Sequence, residues 1–231
     1  MRMLVLNGAS GATGASFGLL TRNGVELMLV SEGLAAGQGG AERLPLLLAD
    51  RLEEAGWAAR TIGLLAVVVG PGSFTGLRAS LALAHGVALG STAPVVGVTI
   101  GEALGPALQD IAGSLGIAGI WCVSQARRDR VFIERPSGPG WHADAAMLDR
   151  LPPAGASVLL GGDAAHLVAG RLQGTGIIVH QSGLSAPSAI AIAEAAIARH
   201  AGMLSPLYPQ PLYVDPPEAK LPQVRVSQAP G

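Results

Sequence analysis

Residues 65–90, LAVVVGPGSFTGLRASLALAHGVALG, constrain the fold more than any other stretch. Val67, Val68 and Val69 are β-branched and lead into a turn of Gly70, Pro71 and Gly72; Ser73 and Thr75 then stand at helix-start positions. Strand, glycine turn and helix in succession is a layout that binds phosphates or other anions, because the first N–H groups of the helix point out of the turn. Asn7, Gly72, Ser73 and Thr75 are the candidate contacts. The plainer reading is a tight packing turn: no Gly-Lys-Ser/Thr follows, and Gly70, Gly72 and Gly76 lack the dinucleotide-binding spacing. Further on, Gly76, Ser80, Ala84 and Ala88 recur every fourth residue, a stripe of small side chains on one helical face. A second helix could approach such a stripe closely, so docking a protein is an alternative to binding a ligand.

The chain is 49% hydrophobic and 13% charged over 231 residues, enough for a full core in one domain or two lobes. A net charge of −1 with no basic stripe disfavours nucleic-acid binding as the main task. Arg127, Arg128 and Arg130 are the one local basic cluster and read as a solvated hairpin turn. Cys122, the single cysteine, lies in the apolar run IAGIWCV and reads as a small packed hydrophobe. The charge-free stretch 79–101 is long enough to span a bilayer, but Ser91, Thr92 and Pro94 divide it, and it reads as a buried helix followed by a buried strand. A cytoplasmic protein is the expectation. None of the five histidines pairs at helical metal-site spacing, so no metal site is expected. His85 reads as a packed or interface residue, and Asp163, after Gly161 and Gly162, as a helix N-cap or a nucleotide contact.

Periodicity and turn signals predict strands at 3–6, 16–20 and 25–30, a loop at 33–40 and a helix at 41–55 with Leu44, Leu48, Leu52 and Ala55 on its apolar face. A strand at 66–69, the helix at 73–89 and a strand at 95–98 follow, and Thr99 with Glu102 reads as a capping box opening a helix to about 115. Strands at 117–123, 130–134, 158–160 and 177–180 then accompany helices at 164–172 and 187–200, with a turn at 137–140. From residue 205 the tail is proline-rich and reads as extended, docked in part by Tyr208 and Tyr213. Hairpins followed by alternating strands and helices, in an order that appears twice, define an α/β protein with a mixed sheet in each half. The expected lobes are 1–104 and 105–231, with the late helix packing back on the first.

The segment VVGPGSFTGLRASLALAHGVALG, with PVVGVT and GEAL after it, resembles the TsaB (YeaZ) family. QARRDRVFIE resembles that family's DARRGEVYVA hairpin, and PLYVDPPEAKLP its P-x-Y-x-R-x-P-x-A-K tail; the likeness runs from the first strand to about Pro222. The resemblance implies an actin-like ATPase-domain fold of two lobes. It implies a non-catalytic subunit of the machinery that makes threonylcarbamoyladenosine in tRNA, dimerising with itself or with the catalytic partner TsaD. ATP and metal are then expected on partner subunits, among them the ATPase TsaE, with tRNA reached through the complex. The family's interface helices correspond to 41–55 and 73–89, which makes Leu44, Leu48, Arg51, Leu52, Gly76, Leu77, Ser80, Leu81, Ala84 and Ala88 the candidate interface. Asn7 and Gln125 stand where the family has Asp, Asp215 stands where its tail has Arg, and the loop GLAAGQGG lacks a histidine common among relatives. The first two changes weaken any nucleotide site. Two rival readings are an actin-fold kinase or ATPase using GPGSFTG and the hairpin at Asn7, and a glycoprotease-like peptidase, for which no Ser–His–Asp set is visible.

Overall fold

The computed structural model describes residues 1–10, 14–37, 39–126, 129–138 and 140–214. Arg127, Arg128 and Asp215 with the tail beyond it lie outside the described residues.

The first sheet is built from β1 (Arg2–Asn7), β2 (Ala15–Asn23), β3 (Glu26–Ala35), β4 (Ile62–Gly70) and β5 (Val95–Thr99). Its order is β3-β2-β1-β4-β5, antiparallel across the hairpin pairs and parallel from β1 through β4 to β5. The second sheet uses β6 (Gly119–Gln125), β7 (Arg130–Ser137), β8 (Gly140–Met147), β9 (Ser157–Gly161) and β10 (Ile178–Gln181), in the order β10-β9-β6-β7-β8. Read outward from β6, this repeats the topology of the first sheet. The chain is therefore an α/β protein of two lobes with one strand plan used twice, the actin-like arrangement.

Helices α1 (Gly40–Glu54) and α2 (Phe74–Ser91) cover one face of the first sheet, and α5 (Ala189–His200) covers the other. Helix α3 (Ile100–Leu115) packs against α5 and lies on the second sheet, whose far face carries α4 (Ala165–Leu172). The layers thus run helix, sheet, helix, sheet, helix. β4 is buried at all but Gly63, because helices sandwich it on both faces; this is why it reads as an unbroken apolar run. The α3–α5 layer shares one apolar cluster with both sheets, including Leu104, Leu108, Ile192 and Ala196. The expected lobe division at 104/105 falls inside α3, which is one continuous helix.

Three differences from the sequence reading have simple causes. β3 continues through Gly33 to Ala35, where a loop was expected; pairing with Phe17 and Ala15 of β2 extends it despite the glycine. β8 was not anticipated, since GWHADAAM is poor in β-branched residues; its register against β7 makes it a strand. Asp163 is not a helix N-cap, because α4 is preceded by Ala164 in that position. The capping box of α3 is present: Thr99 Oγ1 accepts from the Glu102 N–H at 3.1 Å, and Glu102 Oε2 accepts from the Thr99 N–H at 2.9 Å.

Candidate functional site

The ends of β1 and β4 meet where α2 begins. Gly8 and Gly76 touch backbone to backbone, so that a Cβ on either would run into the other's carbonyl oxygen. Gly72, at φ 158°, lies against Ala9, whose carbonyl accepts the Ser73 N–H at 2.5 Å. Ser73 is the N-cap of α2: its Oγ accepts from the Gly76 N–H at 3.3 Å. Asn7 turns its amide oxygen onto the Ala9 N–H at 3.0 Å and is buried. The glycines and the serine of GPGSFTG therefore seat α2 against the loop after β1, the packing role weighed above.

Two cavities adjoin this junction. One, of about 380 Å³, opens between the N-termini of α1 and α2 and is lined by Ser73, Thr75, Glu42 and several backbone glycines. The other lies between the lobes and measures about 10 Å³, with Asn7, Ser10, Ser124 and Asp163 on its wall. The four candidate anion contacts do not converge: Ser73 and Thr75 face the first cavity, Asn7 the second, and Gly72 lines neither. The lobes are linked here. Asp163 accepts from the Gln125 N–H at 2.8 Å and from the Ser10 hydroxyl at 3.3 Å, joining second lobe to first. Burial raises the Asp163 carboxyl above its ordinary range, against the pull of those two donors.

The candidate interface residues need a sharper correction. Leu44, Leu48, Gly76, Leu77, Ser80, Leu81 and Ala84 are buried within the protomer, Ala84 at 0% exposure. Their helices turn these residues onto the first sheet and onto each other, so that most of the stripe of small side chains is covered by this chain itself, Gly76 and Ser80 meeting the backbone of Gly8. Arg51, Leu52 and Ala88 are half-buried. The ridge of α2 that faces outward is instead Phe74, Arg78, Ala82, His85, Gly86 and Leu89, and α1 adds Leu46. A Cβ at Gly86 would meet open space.

The chain after α5 runs back along this ridge. Leu212 donates its N–H to the Val69 carbonyl at 2.8 Å, and His85 Nε2 lies 3.1 Å from the Pro209 carbonyl. Arg78 sits 3.6 Å over the Phe74 ring and donates to the Tyr213 hydroxyl at 2.8 Å. The docking expected of Tyr213 is thus made on α2, while Tyr208 stays largely exposed.

Two buried acids make long-range contacts that the sequence does not signal. Glu102 pairs with Arg199 of α5, whose guanidinium also donates to the carbonyls of Gly97 and Ser205. Glu134 of β7 is 0% exposed and accepts the Gly101 N–H at 2.7 Å. Cys122 is buried as expected, and burial holds its thiol well above the ordinary value. Among the described residues no group of three or more His, Cys, Asp or Glu side chains is placed to hold a metal ion. No helix among them is long and apolar enough to cross a membrane.

Taken as a class, this is a duplicated, two-lobed actin-like protein whose lobes are joined by Ser10 and Asp163. Residues 35–114 match the family model of TsaD, tRNA N6-adenosine threonylcarbamoyltransferase. Over 77 residues the chain is 43% identical to a tRNA N6-adenosine threonylcarbamoyltransferase of Cereibacter sphaeroides strain KD131; the match covers 32% of this chain and 21% of that relative's length. Two solved structures from Pseudomonas aeruginosa are similar over nearly the whole chain. YeaZ has a TM-score of 0.64 at 22% identity, covering 92% of this chain and 99% of that one. A protein described as similar to peptidase YEAZ has a TM-score of 0.66 at 20% identity, covering 93% and 99%. The fold is that of YeaZ, the TsaB family that the sequence resembles.

Proposed function

We propose that this chain is a non-catalytic scaffold subunit of the TsaB type. It docks on a TsaD-type threonylcarbamoyltransferase through the outer ridges of α1 and α2 and so supports transfer of the threonylcarbamoyl group to the adenosine beside the anticodon of tRNA. The observation that carries this reading is where the likenesses fall. The YeaZ fold extends over 92% of the chain, while the stretch similar to TsaD, 35–114, contains both outer helices of the first lobe. Proteins that share a lobe are suited to pair through equivalent faces about a two-fold axis, with a second copy of this chain or with the related catalytic subunit. Helix α2 offers Ala82, Gly86 and Leu89 beside the stretch where this chain's own Pro209 and Tyr213 lie on His85, Arg78 and Phe74, and Leu89 is 88% exposed. ATP and metal belong to the partners, TsaE among them, tRNA is met through the complex, and the site of action is the cytoplasm.

The kinase or ATPase reading has less support. Ser10 is tied to Asp163 between the lobes, and the candidate contacts are split, with Asn7 on the small cavity of about 10 Å³ there and Ser73 and Thr75 on the separate one beside α1. Asn7 brings no charge for a metal-bound water, and its amide oxygen is taken by its own loop.

Reconstitution tests the reading. The purified chain is mixed with the TsaD and TsaE proteins of its own cell, threonylcarbamoyl-adenylate and unmodified tRNA. Modified adenosine is expected only when the chain is present. Equal product without it overturns the scaffold role. Gly86→Arg, which replaces an exposed helical glycine by a better helix former, is expected to leave the protomer folded and to abolish co-elution with TsaD. Unchanged co-elution would remove this face from the interface.

A further inference from the structure

The carboxyl of Glu134 is the most unusual group in the chain. It reaches from the second-lobe hairpin to the first turn of α3, two residues beyond the last strand of the first lobe. One oxygen, Oε2, caps the Gly101 N–H; the other, Oε1, is buried with no hydrogen-bond partner. The surface it meets is cleared for it. A Cβ at Gly101 would lie 2.8 Å from Oε1, and one at Gly105 would lie 2.7 Å from Nε1 of Trp141, which closes over the same helical face.

Among the described residues, the cations around this point are already engaged. Glu102 faces Glu134 from α3, and Arg199 of α5 is taken up by Glu102 and by the carbonyls of Gly97 and Ser205. From β6 the neighbour is the buried thiol of Cys122, directly across the strand pair. Arg135, next along β7, alternates to the other face and pairs with Asp144 of β8, which also holds His142 at 3.1 Å. Asp163, before α4, is engaged by Ser10 and Gln125, with His166 near it.

We propose that Glu134 is a proton-operated latch at the seam, where the helix leading out of the first lobe meets the second sheet: protonated, it clamps the β7–β8 hairpin onto the start of α3, and on losing its proton it releases that hairpin and loosens the seam. The physical reason is the cost of a fully buried ion that has only the Thr99 hydroxyl and the Gly101 N–H to offset its lost water, beside another acid. Burial, reinforced by the charge of Glu102, pushes the carboxyl up to about 8, against the pull of the Thr99 hydroxyl and the Gly101 N–H, so release falls in the mildly alkaline range. The carboxylate would regain water only by swinging away from α3 and lifting Trp141 with it. The latch concerns the seam and stands apart from the docking face on α1 and α2.

Hydrogen exchange of the full-length chain between pH 6.5 and 9.5, corrected for intrinsic base catalysis, tests it. Protection of the segments 99–105 and 130–137 is expected to fall about tenfold for each pH unit above the midpoint, while α1 keeps its protection. Glu134→Gln, which cannot ionise, is expected to hold both segments protected throughout. Constant protection in the unaltered chain, or equal loss in Glu134→Gln, overturns the latch. The side-chain carboxyl carbon of Glu134, followed by NMR in the unaltered chain, gives a reading that needs no variant. A midpoint near 8 supports the proposal, and one below about 6 sinks it.

Discussion

Glu134 carries a consequence for stability as well as for motion. Its carboxyl titrates at about 8 when folded and near 4.5 when exposed, so the native state holds a proton that the unfolded state gives up between those values. Stability is therefore unaffected by this group below about pH 4.5, falls as pH rises to about 8, and carries the full penalty above it, at up to about 1.4 kcal/mol per unit within the window. Urea unfolding at pH 5, 7 and 9 should show that decline, and Glu134→Gln should flatten it and be the more stable protein at pH 9. A decline as steep in the variant would assign it to other groups. Nothing in QARRDRVFIE marks this residue as buried. It lies at the expected end of a strand, where an acid is ordinarily solvated, and Thr99, Gly101 and Cys122, brought from elsewhere in the chain, enclose it. The capping pair Thr99 and Glu102, by contrast, was readable because both partners lie within one turn.

Helix α2 shows where one-dimensional patterns stop. Its span was predicted within two residues, and so was the set of small residues sharing a face; the side that face would take was misjudged. A helix apolar nearly all round gives no contrast between inside and outside, whereas α1, with charges at Glu42, Arg43 and Asp50, declares its exposed side. The correction changes what substitutions should do. Gly76→Ala places a methyl against the Gly8 carbonyl, a backbone contact that cannot swing aside. It should lower stability by about 1–3 kcal/mol, the usual cost of overpacking, in thermal unfolding of the free protein. A wild-type melting profile would mean that the β1–α2 junction has slack. Ala84→Arg, attractive as an interface probe when that residue is taken as exposed, buries a cation in the core at 0% exposure and would report on folding alone.

In the assembled molecule the lobes are joined by groups from opposite ends of the chain. Arg199, near the C-terminal end of α5, neutralises Glu102 and holds the carbonyls of Gly97 and Ser205, fixing α3, β5 and the returning tail together. Arg199→Met leaves Glu102 buried without its partner and should cost about 3–5 kcal/mol in chemical denaturation, beyond what loss of a surface pair produces. A cost under about 1 kcal/mol would place the pair among the exposed ones. The duplicated plan was legible from the order of hairpins and alternating elements, because strand and helix type follow from local periodicity and glycine turns. The sequence by itself determined the α/β class, the two sheets, most element spans and the capping of α2 and α3, all of which depend on neighbours a few residues apart. Only the tertiary structure decided which face of α2 is inside, that Ser10 and Asp163 join the lobes, and that Glu134 meets Gly101. Those outcomes depend on contacts between residues 33 to 153 positions apart, whose geometry exists only once the sheets have paired and packed.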